Sequence, residues 1–104
     1  MAGNFYQDYR RSNVTYASTS LTISGNVVDF DIGANSNLFA KVKVAREIVL
    51  RNTQPVYVKF NSTENDPIEV FAREGVASSG MPIENIYVTT VAGCHIRVFI
   101  VGYN

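Results

Sequence analysis

The most reactive pair of side chains in this 104-residue chain is Cys94-His95, a thiol next to an imidazole, as a nucleophilic cysteine requires. The spacing defeats the idea. The residues that follow alternate between apolar and polar, so the pair opens an extended segment. Consecutive side chains there point to opposite faces, and no proton can pass directly between these two. One histidine and one cysteine are also too few for a zinc site, which takes three or four such ligands. Asp29 and Asp31 place two carboxylates on one face of a strand, as a paired acid or cation site would. The same spacing describes a solvated face opposite Val28, Phe30 and Ile32. The loop at 61–67 is rich in oxygen donors but lacks the spacing and glycine of a calcium loop, and turn chemistry accounts for it. Asn13-Val14-Thr15 and Asn61-Ser62-Thr63 fit the glycosylation pattern. The N-terminal residues have no apolar run resembling a secretory signal, so both read as polar strand and loop residues. With no glycine-rich phosphate loop, nucleophile elbow or HExxH motif, the expectation is a non-enzyme with no catalytic, metal or cofactor-binding residues and no small-molecule substrate.

The elements that would carry such residues are strands. Across 45–60, Ile48 and Leu50 face one way and Glu47 and Arg51 the other. A break at Asn52-Thr53-Gln54-Pro55 follows, and Val56, Val58 and Phe60 resume the alternation, giving strand, turn, strand. Upstream, 14–23 is β-branched or small, with Thr19, Leu21 and Ile23 on one face. Ser24-Gly25-Asn26 turns the chain, and the reading there is a first hairpin from Leu21 to Ile32. Leu38-Phe39-Ala40-Lys41-Val42 is either one helical turn or a short strand. Downstream, Pro67 interrupts a ladder, Ile68 and Val70 begin a strand, and Arg73-Glu74-Gly75 and Ser78-Ser79-Gly80 read as turns. Ile86, Val88 and Thr90 alternate with Tyr87 and Thr89, and after Ala92-Gly93 the last strand sets Ile96, Val98 and Ile100 against His95, Arg97, Phe99 and Val101. Short strands separated by regular turns predict an all-β fold, an antiparallel β-sandwich of jelly-roll-like form with seven or eight strands. It spans 14–104 behind an N-terminal arm, 1–13.

Composition sets the outer limits. The chain is 46% hydrophobic and 17% charged, which excludes disorder, and it has no apolar run long enough to cross a membrane as a helix. Nine basic and nine acidic residues cancel, so a nucleic-acid partner is not expected. A lone cysteine makes no internal disulfide, leaving stability to packing or association.

The side chains on the outward faces carry the functional expectation. If Val56, Val58, Ile68, Val70, Ile86, Val88, Ile96, Val98 and Ile100 fill the core, then Tyr57, Phe71, Tyr87 and Phe99 project outward, and their rings are expected to form one contact patch. In the arm, Phe5, Tyr6 and Tyr9 precede Arg10 and Arg11. The segment reads either as a frayed terminus or as an arm that anchors on a neighbour. Self-association to a homo-oligomer is one outcome, and cover of the aromatic face within one subunit is the other.

The run Leu38-Phe39-Ala40, then Ala45-Arg46-Glu47-Ile48-Val49-Leu50-Arg51-Asn52, then Val56-Tyr57-Val58-Lys59-Phe60-Asn61, resembles small structural proteins of tailed-bacteriophage virions. Asn65-Asp66-Pro67-Ile68 and Asn85-Ile86-Tyr87-Val88-Thr89 extend the resemblance, which covers roughly 36–101. It implies a non-enzymatic β-sandwich virion component, made in the host cytoplasm, whose partners are further copies and the major capsid or another virion protein. Capsid decoration is the leading position, with neck or tail the alternative. A different class of function, a carbohydrate- or receptor-binding sandwich, would use Tyr57, Tyr87 or Tyr103 to stack on sugar rings.

Overall fold

The computed structural model describes residues 14–103. The arm residues Phe5, Tyr6, Tyr9, Arg10 and Arg11 lie outside them. The described chain forms strands β1 (Val14–Thr22), β2 (Val27–Asp31), β3 (Val44–Asn52), β4 (Val56–Phe60), β5 (Ile68–Val70), β6 (Val76–Ile83), β7 (Ile86–Thr90) and β8 (His95–Tyr103), with one helical turn, α1 (Leu38–Lys41), between β2 and β3. Two four-stranded antiparallel sheets result, in the orders β1-β8-β3-β6 and β2-β7-β4-β5. Strand β1 pairs with β8, β2 with β7, β3 with β6 and β4 with β5. That nested pairing is what one long antiparallel ribbon gives when wound into a two-layer sandwich, and it is the jelly-roll topology.

Alternation in the sequence decides which side chains meet between the layers. Ile48 and Leu50 of β3, Val56 and Val58 of β4, Ile86 and Val88 of β7, and Ile96, Val98 and Ile100 of β8 are all buried. Leu38 and Val42, at either end of α1, plug one end of the same core. The strand-turn-strand reading of 45–60 holds, and the ambiguous segment at 38–42 resolves as a helical turn.

Four sequence expectations are corrected. No hairpin joins Leu21 to Ile32, because β1 and β2 belong to different sheets. The Ser24-Gly25-Asn26 corner crosses between layers and pairs with the β7–β8 corner: Ile23 N donates to Cys94 O (2.8 Å), Gly93 N to Ile23 O (2.7 Å) and Ala92 N to Asn26 Oδ1 (3.0 Å). Ser78-Ser79-Gly80 is not a turn but the middle of β6, an edge strand whose polar composition, Gly80 and Pro82 are tolerated because only β3 pairs with it. Ile68 shares the inward face of its partner Val58. It opens the edge strand β5, however, where nothing covers it, and stays 41% exposed. In β2 a bulge sets two residues, Val28 and Asp29, against the single Thr89 of β7, with Asp29 at φ 49°. The bulge reverses the parity, so Val27 and Phe30 pack on the core while Val28 is exposed.

Candidate functional site

The residues singled out for chemistry are taken up by structure. Cys94 is fully buried, whereas His95 lies on the outward face of β8, hydrogen-bonded through Nε2 to Ser20 Oγ (2.9 Å) and through Nδ1 to Thr22 Oγ1 (3.0 Å). The two side chains occupy opposite sides of the sheet, as strand alternation requires. Asp29 and Asp31 do not form a pair either. The bulge directs Asp29 to Lys59 (Nζ to Oδ1, 3.3 Å), while Asp31 Oδ1 accepts from Ala34 N (2.9 Å) and Asn85 Nδ2 (2.8 Å), fixing the turn after β2. In the 61–67 loop Asn61 adopts a left-handed backbone (φ 71°). Its amide bridges Pro82 O (3.0 Å) and Glu84 N (2.7 Å), so its side chain ties the β4–β5 and β6–β7 turns together. Among the described residues no group of three or more histidine, cysteine, aspartate or glutamate side chains could hold a metal ion.

The expected single aromatic patch is divided, because strand order sends its members to different surfaces. Tyr57 and Tyr87 lie on the outward face of β2-β7-β4-β5, where Tyr57 Oη donates to Glu69 Oε2 (3.3 Å) and Tyr87 stands opposite Lys59. Phe71 is 60% exposed in the turn after β5. Phe99 lies on the other sheet, between Ser18 of β1 and Val49 of β3.

Around Phe99 the outward face of β1-β8-β3-β6 does carry an apolar surface. Tyr16 packs on Phe99 with ring centroids 5.8 Å apart and an interplanar angle of 34°. Val14, Tyr16, Val49 and Phe99 are all exposed there. Sequence reasoning missed Tyr16 and Val49. Their outward parity was available, but their adjacency to Phe99 depends on β8 lying between β1 and β3, and no local pattern encodes that.

Further along the same face the character changes. A groove of about 510 Å³ runs from Phe99 and Val49 past Ser18 and Ser20 to Arg51 and Arg97. There it meets a cleft of about 230 Å³ lined by Arg51, Asn52, Thr53, Arg73, His95 and Arg97. The buried Asn52 fastens the turn that carries Arg73: its Nδ2 donates to Gln54 O (2.8 Å) and Phe71 O (2.9 Å), and its Oδ1 accepts from Gly75 N (3.0 Å). Arg73 N in turn donates to Asn52 O (2.8 Å), which holds Arg73 in the left-handed region at φ 65°. The sheet face thus has an apolar half and a basic half.

No known family model matches the sequence, and no curated protein does. Solved structures with a similar chain path include a cupin protein from Bacteroides fragilis (9% identity over 91% of this chain and 69% of that one, TM-score 0.42). A de novo designed double-stranded β-helix is another (6%, 84% and 97%, TM-score 0.43). A third comes from Bacillus endospore appendages described as disulfide-linked pili (10%, 86% and 86%, TM-score 0.46).

Proposed function

We propose that this protein is a non-enzymatic structural component of a tailed-bacteriophage particle, a capsid decoration protein that forms a homo-oligomer and binds the major capsid protein. The observation that carries the assembly part is the apolar half of the β1-β8-β3-β6 face, where Val14, Tyr16, Val49 and Phe99 are exposed side by side. Aromatic and aliphatic side chains grouped on one sheet face, with polar residues around them, suit a contact surface. Removing such surface from water contributes about 25 cal/mol for each Å² buried. A second copy is the occupant, its rings packing against Tyr16 and Phe99 as those two pack on each other. The virion assignment rests on the sequence resemblance over 36–101, and a neutral jelly roll with its polar loops left exposed suits a lattice position.

A density map of purified particles tests this reading. The prediction is a stoichiometric protein on the capsid exterior with the Tyr16–Phe99 face buried against another copy. Placement at the neck or tail would keep the structural role and move its position. Absence from particles would contradict the proposal.

A further inference from the structure

We propose that the cleft between β3, β8 and the β5–β6 turn binds a tetrahedral oxyanion of the phosphate or sulfate type. Three arginines, Arg51, Arg73 and Arg97, line this one cleft of about 230 Å³. They come from three separate segments of the chain. Arg51 and Arg97 are placed by strand register, one directly opposite the other, and Arg73 by the turn that Asn52 fastens to the end of β3. Among the described residues none of the three has a carboxylate partner or a hydrogen bond that uses its guanidinium donors. The whole chain is electrically neutral, so three arginines in one concavity form a local concentration of positive charge and not the spill-over of a basic surface.

Hydrogen bonds tie down two other residues that line the cleft, Thr53 and His95. Thr53 N donates to His95 O (3.1 Å) and His95 N to Thr53 Oγ1 (2.8 Å), while the imidazole is held by Ser20 and Thr22. A guanidinium offers its donors in a planar fork that matches two oxygens of an anion. One planar carboxylate satisfies one such fork, or two at most. Three arginines from three chain segments suit a group that presents oxygens in several directions, which a tetrahedral oxyanion does. Like charges held directly opposite across a sheet repel, and a bound anion removes that repulsion. Binding should therefore raise stability as well as occupy the cleft.

The experiment uses the full chain, with inorganic phosphate as the probe and sodium chloride at matched ionic strength as the control. Thermal unfolding and isothermal titration calorimetry are the readouts. Phosphate is expected to bind saturably and to raise the melting temperature above the chloride control. Arg73→Gln and Arg97→Gln should each weaken binding about tenfold or more, as loss of a charge-assisted contact does. Lys43→Gln, an exposed cation elsewhere on the molecule, should leave binding unchanged. Without phosphate, Arg97→Gln should melt no lower than the unmodified protein, which separates loss of binding from loss of fold. Methyl phosphate distinguishes the sources of the anion: equal or tighter binding points to an ester on a larger molecule, and weaker binding to the free ion. A phosphate effect no larger than that of chloride, or one that survives in both arginine variants, overturns the proposal.

Discussion

Arg51 of β3 and Arg97 of β8 stand directly opposite each other across the antiparallel ladder, both exposed and both without an ion-pair partner among the described residues. Opposed like charges cost a sheet stability, and a neutral chain with nine acidic residues had the means to avoid the arrangement. That cost is confined to the basic half of this face.

Reversing one of these charges should therefore stabilise the fold. Arg51→Glu converts a repulsive cross-strand pair into an attractive one, with an expected gain of roughly 0.5 to 1 kcal/mol in urea unfolding at low salt. The gain should shrink as salt is added. Destabilisation at low salt would show that the two side chains do not feel each other.

The core assignment is tested by truncation. Ile48→Ala, Val58→Ala and Val98→Ala each open space between the two sheets, because all three side chains are buried. Losses of roughly 1 to 4 kcal/mol are expected in chemical denaturation, with Ile48→Ala at the upper end. Values typical of surface sites, below about 0.5 kcal/mol, would mean the faces are reversed.

Asn52→Ala should be more costly than its size suggests. It deletes the hydrogen bonds to Gln54 O, Phe71 O and Gly75 N and leaves those backbone groups short of partners at a buried position. A loss of about 2 to 3 kcal/mol is expected. Amide exchange should quicken most in the 71–75 turn, since Asn52 is what fastens it to β3.

Cys94 supplies a label for global unfolding. Its thiol is fully buried beside Gln54 O, so a thiol-specific reagent should react only as fast as the protein opens. The rate should rise with denaturant in step with the unfolding equilibrium. Rapid modification of the native protein would place the β7–β8 corner outside the core.

Much of the fold was legible in the sequence because its physics is local. Period-2 alternation identified the buried set of β3, β4, β7 and β8, and the turn residues marked most strand ends. The errors arose where neighbours along the chain are not neighbours in the sheets. The pattern at 21–32 looked like a hairpin because a tight turn between two extended segments reads the same whether the chain folds back or crosses to the other layer. Strand β6 was missed because an edge strand needs little intrinsic preference when β3 supplies its pairing. The outward parity of Phe99, Arg51 and Arg97 could be read from the sequence. That Phe99 meets Tyr16, and that Arg51 meets Arg97, depends on β8 lying between β1 and β3, contacts set by strand order and not by any window of sequence.

The central claim, that the apolar half of the β1-β8-β3-β6 face joins copies of the chain, is tested most directly by mass in solution. Sedimentation equilibrium of the full-length protein should be compared with that of the Tyr16→Asp, Phe99→Asp double variant. Both positions are exposed, so the variant should keep its melting temperature within a few degrees of the unmodified protein. The prediction is an oligomer for the full-length protein and a monomer for the double variant. A full-length protein that stays monomeric over a wide concentration range, or a double variant of unchanged oligomeric mass, would contradict the claim.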